Sequence, residues 1–115
     1  MILIDHLNGL APATEWLSKL QPDEAVTSVI TRAEVLAKAG DKWEEVMAFL
    51  DEYGCLSIGP EEADMAAGLR NRFKVKLPDA LQAALAQNQE LILVTRDTGD
   101  FGKIEGLETK VPYKI

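Results

Sequence analysis

Cysteine and histidine each occur once in this 115-residue chain. Cys55 has no partner for an internal disulfide, which fits a reducing compartment such as the cytoplasm; the simplest reading is a small buried apolar thiol. His6 has no cysteine near it in the sequence, which disfavours a Ser-His-Asp triad, a Cys-His pair and a zinc site. Aromatic residues make up 6% and fit helix faces, so a stacking platform for single-stranded nucleic acid is not indicated. Neither GxGxxG nor GxxxxGKS/T occurs, so the usual nucleotide-phosphate loops are missing. No apolar run reaches the roughly 20 residues of a membrane span. The apolar start MILI has no basic region before it and no small-residue cleavage site, so it does not read as a signal peptide. Positive charge is also scarce, with 12 Lys and Arg against 19 Asp and Glu, net −7. That balance opposes broad attraction to nucleic acid unless a local basic patch or bound cations reverse it.

What is present is alternation. A chain of this length, with 47% hydrophobic residues, suits a single domain over 1–115. Pro12–Leu20 reads as a helix, Ala25–Ile30 as a β-branched strand, and Thr31–Ala39 as a helix stopped by Gly40. Asp41 can cap the next helix, whose apolar stripe is Trp43, Val46, Met47, Leu50 and Tyr53. Cys55–Ile58 is a short strand. Pro60 opens a helix and Leu77-Pro78-Asp79 opens an alanine-rich one; Leu91–Thr95 is a continuous apolar strand, and Val111–Ile115 a last short one. Strands separated by helices predict an α/β fold with a mainly parallel sheet between helices, and such folds place their chemistry at the C-terminal strand ends. The opening MILIDHLNG is ambiguous. It can be a strand presenting Asp5, or a helix with Leu3, Leu7 and Leu10 on one face and Asn8-Gly9 as its stop.

Four acids stand where the pattern changes element: Glu34, Asp79, Asp97 and Asp100. Each has a purely structural explanation. Thr31-x-x-Glu34 makes a capping box, Asp79 suits the positive end of a helix, and RDTGD is a turn sequence. Together they offer the converging hard oxygens that Mg²⁺ or Mn²⁺ requires. LRNRFKVK adds Arg70, Arg72, Lys74 and Lys76 at every second position, either a solvated helix end or a phosphate-contacting rim that Arg96 extends.

These segments resemble the PIN-domain family, and within it the VapC-type toxins of bacterial toxin–antitoxin pairs. TSVITRAEVL is similar to the family's Ser/Thr-rich segment with Glu34 as its acid, LPDALQAALA to the motif carrying Asp79, and LVTRDTGDFGKI to the motif carrying Asp97 and then Asp100-Phe101. The resemblance implies a three-layer α/β/α Rossmann-like domain and a Mg²⁺- or Mn²⁺-dependent endoribonuclease. It also implies a homodimer, and inhibition by a small antitoxin whose tail enters the acidic groove. It makes Glu34, Asp79 and Asp97 catalytic metal ligands and Asp100 a further acid. Ser28 and Thr95 would hydrogen-bond the carboxylates and fix their rotamers. RNA would be met by Arg70, Arg72, Lys74, Lys76 and Arg96.

The start departs from the family pattern. A PIN chain opens with a strand ending in an Asp-Thr-Asn type motif, followed by a helix resembling ILIDHLNG. In that register Ile2–Gly9 is the helix and Met1 takes the place of the Asn. The expectation is therefore that the first strand and its carboxylate are missing, with nuclease activity truncated or weakened. The alternative is a catalytically inactive module that dimerises and binds an antitoxin peptide. A phospho-acceptor domain of flavodoxin-like topology is a third class, but its acidic pair after the first strand and its late lysine are not convincingly found.

Overall fold

A computed structural model describes residues 2–21 and 24–113. The chain divides into two compact units, one covering Leu3–Ser57 and the other built mainly from Ile58 onward.

The described chain opens on helix α1 (Ile2–Leu7), which fits the helical reading of the opening stretch. The helix stops at Gly9, whose φ of +82° lies in the left-handed region. Gly9 N–H donates to the His6 carbonyl at 3.0 Å and Leu10 N–H to the Asp5 carbonyl at 2.9 Å. This paired closure satisfies carbonyls that the helix end would leave open. Of the three spaced leucines, Leu3 is buried and Leu7 is exposed. His6 Nδ1 lies 2.8 Å from Thr14 Oγ1 on α2 (Ala11–Ser18), and its ring packs against Phe49 on α4 (Trp43–Leu50) at 5.1 Å.

Strand β1 is shorter than the β-branched run suggests, covering only Val26–Ser28, and α3 (Val29–Ala37) begins directly after it. The reason is Ser28. Its backbone is extended, and its hydroxyl accepts the Thr31 N–H at 3.1 Å, so it caps α3. Thr31 is thus inside the helix, and the expected Thr31–Glu34 capping box does not form the start. Gly40 (φ +58°) does follow the end of α3. Asp41 does not cap α4; it sits in a short 3₁₀ turn, Gly40–Lys42, and α4 has no side-chain cap. Trp43 leaves the expected stripe and is 47% exposed, while Val46 and Leu50 are buried with Leu3, Val35 and Leu36. Arg32 meets Asp51 at 3.0 Å and ties α3 to the end of α4. Strand β2 (Gly54–Leu56) runs parallel to β1, with Thr27 opposite Cys55. Cys55 is exposed, contrary to the buried reading, because this strand faces solvent at Gly54 and Cys55.

The second unit is a pair of helices and a second parallel strand pair. Helix α5 (Pro60–Phe73) ends at Lys74, whose left-handed backbone (φ +58°) turns the chain toward α6 (Leu77–Asn88). Their contact is made of small residues: Ala66 from α5 and Ala80, Ala83 and Ala84 from α6 are fully buried beside Val75. Strand β3 (Leu93–Val94) pairs in parallel with β4 (Thr109–Lys110). The last strand therefore lies before the expected Val111–Ile115; Val111–Tyr113 are outside it, and residues 114 and 115 lie outside the described residues. Between the two strands, α7 (Thr98–Phe101) buries Phe101, and Ile104 follows it into the same alanine-rich core. Among the described residues, no helix is long and apolar enough to cross a membrane.

Candidate metal centre

Three of the expected acids converge in the second unit. Asp79 lies in the first turn of α6, Asp97 is the residue before α7, and Asp100 is within α7. Each offers a carboxylate oxygen, and the three oxygens lie within 4.8 Å of one another. Burial of Phe101 against the alanines of α6 explains the convergence, because it seats the short α7 beside the helix start that carries Asp79. Glu34 is in the first unit, exposed on α3.

The RDTGD segment is a folded turn. Asp97 Oδ1 accepts the Gly99 N–H at 3.0 Å and so caps α7. The Asp97 N–H donates to Thr95 Oγ1 at 3.0 Å, while the Thr95 N–H donates to the Lys110 carbonyl of β4 at 3.0 Å. Thr95 thus ties the acid's backbone to the strand pair. Ser28, the other residue expected to support the carboxylates, has its hydroxyl on Thr31 at the start of α3. At Gly102 an added Cβ would overlap the Thr98 carbonyl oxygen, so the exit from α7 requires glycine.

The electrostatics reflect three like charges in a small space. The Asp79 carboxyl is pushed above the ordinary range, first by burial, then by the charges of Asp100 and Asp97 and by a hydrogen bond to Asp100; Lys76 opposes the rise. Such a site is short of positive charge. Opposite ligands of an octahedral Mg²⁺ stand about 4.2 Å apart. The spacing and all-oxygen chemistry of the trio therefore fit one hard divalent ion after modest closure.

The basic run does not form one row. Helix α5 carries it as far as Phe73, so alternate positions point in different directions. Arg70 donates to the Val75 carbonyl at 3.0 Å and braces the turn. Arg72 reaches Glu105 at 3.4 Å and packs over Phe73. Lys76 precedes α6, and Arg96 lies over the Tyr113 ring at 5.5 Å. One basic neighbour of the acids escaped the sequence reading: Lys103, whose Nζ is 3.4 Å from Asp100 Oδ1. Its signal was the i, i+3 spacing in DFGK.

A family match extends over both units: the PIN domain is matched by residues 2–107. The chain belongs to the PIN-domain family. This PIN chain is 34% identical to a chain of a toxin–antitoxin complex from Klebsiella pneumoniae, with a TM-score of 0.87, covering 99% of this chain and 94% of that one. It is 29% identical to the ribonuclease VapC10 of Mycobacterium tuberculosis over 99% of this chain and 90% of the relative. FitAcB from Neisseria gonorrhoeae, at 22% identity, shares the PIN fold with a TM-score of 0.81 over 98% of this chain and 95% of its own.

Proposed function

We propose that this PIN protein is a VapC-type toxin: a single-domain, cytoplasmic endoribonuclease that depends on Mg²⁺ or Mn²⁺. The observation that carries the proposal is the convergence of Asp79, Asp97 and Asp100 in a chain of this family. These three residues hold the ion, and family register adds Glu34 as a fourth acid. The bound metal supplies charge neutralisation and a more acidic water for attack on a phosphodiester. The protein's own part is positional. Thr95 fixes the backbone of Asp97, the α7 cap orients its carboxylate, and the α6 start holds Asp79 in its charged neighbourhood. Lys74, Lys76 and Arg96 are assigned to RNA phosphates; Arg70 and Arg72 join them from their contacts with Val75 and Glu105.

The relatives include a ribonuclease and a toxin–antitoxin complex, and this supports assigning RNA as substrate and a small antitoxin protein as partner. Homodimerisation belongs to the same reading. The test is Mn²⁺-dependent cleavage of structured RNA by the chain and by Asp79→Ala. Cleavage that disappears in the variant is expected, and equal activity in both would remove Asp79 from the mechanism. Metal binding without any cleavage would favour the alternative, a module that dimerises and holds an antitoxin peptide.

A further inference from the structure

Lys103 is the cation closest to the acids for which the structure records a contact. Its Nζ lies 3.4 Å from Asp100 Oδ1, across one turn. The lysine side chain is 56% exposed and that of Asp100 27%, so the pair is open on the lysine side. An exposed pair of this kind contributes little to folding. Its effect on the neighbouring charges is larger in consequence. Asp79, Asp97 and Asp100 crowd three carboxylates into one space, their oxygens within 4.8 Å of one another. The ammonium offsets part of that excess from the position of Asp100, which a divalent ion also needs.

We propose that Lys103 is a resident counter-cation of the acid cluster, competing with the divalent ion for Asp100 and setting the metal concentration at which the site fills. The proposal rests on the metal-centre reading above. Metal entry would require the ammonium to leave Asp100, and the side chain's exposure leaves it room to swing into solvent. Lys76 is a further positive charge that acts on Asp79, and no contact with a carboxylate oxygen is recorded for it among the described residues. Lys103 is therefore the direct competitor and Lys76 a background charge.

The experiment is direct calorimetric titration of Mn²⁺ into the full chain and into Lys103→Met, Lys103→Arg and Lys76→Met, without RNA. Removing a unit charge this close to the ligands is expected to tighten Mn²⁺ binding about fivefold in Lys103→Met. Lys103→Arg is expected to restore the wild-type value, and the gain is expected to shrink as salt rises. Lys76→Met should give a smaller change, and thermal unfolding of metal-free Lys103→Met should match wild type. Unchanged or weaker Mn²⁺ binding in Lys103→Met, with the wild type still binding, would overturn the proposal and leave the metal centre standing. No Mn²⁺ binding by wild type or by any variant would instead overturn the metal centre, and the competition with it.

Discussion

The hydroxyl of Thr95 accepts the backbone N–H of Asp97 at 3.0 Å, so an acid of the cluster is held through its main chain as well as its side chain. Thr95 is itself fixed by its N–H bond to the Lys110 carbonyl. Replacing it with valine keeps the shape and removes the acceptor. Thr95→Val is expected to lose about 1 kcal/mol of stability in urea unfolding. Mn²⁺ binding should also weaken, while Thr95→Ser retains both. Wild-type metal affinity in Thr95→Val would show that Asp97 needs no such support.

Asp79 carries a pH dependence whose sign follows from its neighbours. Its carboxyl is raised in the folded chain by burial and by Asp100 and Asp97, so the folded state binds this proton more tightly than the unfolded state does. The stabilising contribution is then complete below the ordinary carboxylate value and is lost as pH rises through the raised one. Metal-free protein should therefore lose this contribution on going from acid to neutral pH. Asp79→Asn should flatten that segment of the stability–pH curve and raise the melting temperature at pH 7, while Mg²⁺ should stabilise the wild type far more than the variant. Superimposable curves for the two proteins would contradict the crowding of the carboxylates.

Gly102 sets the exit from α7. A methyl group there would overlap the Thr98 carbonyl oxygen, and backbone offers no easy retreat. Gly102→Ala is expected to cost about 1–3 kcal/mol in chemical unfolding. Because α7 carries Asp100 and is capped by Asp97, Mn²⁺ affinity should fall along with stability.

Ser28 makes a contrasting case. Its hydroxyl caps α3 through the Thr31 N–H, so Ser28→Ala should cost about 1 kcal/mol of stability. Metal binding at the acid cluster should be unchanged. A large loss of metal affinity in that variant would favour the role suggested by the family pattern, support of a carboxylate.

The alternation of helices and parallel strands was legible because apolar runs such as LILV, and stops such as Gly40, are local signals. Boundaries were less so. AVTSVI is rich in β-branched residues, yet its serine hydroxyl captures a backbone N–H and converts the last two residues to helix. Trp43 and Cys55 misled for a different reason: hydrophobicity states what burial would gain, while the packing partners that decide burial lie elsewhere in the sequence. The acids Asp97 and Asp100 were visible as a turn motif, but their meeting with Asp79 depends on Phe101 packing against α6. The basic run looked like a one-sided row only under strand periodicity; helix α5 disperses it.

The alanines beneath Asp79 have a further consequence. Ala80, Ala83 and Ala84 present no side-chain rotamers with which the helix could absorb a disturbance. Any displacement of α6 must therefore move it as a rigid rod, and the carboxylate at its end moves with it. A methylene added at Ala83, a full turn from the chemistry, would be transmitted as a lever transmits a push. The spacing of the acids is thus held by atoms that carry no charge and meet no substrate.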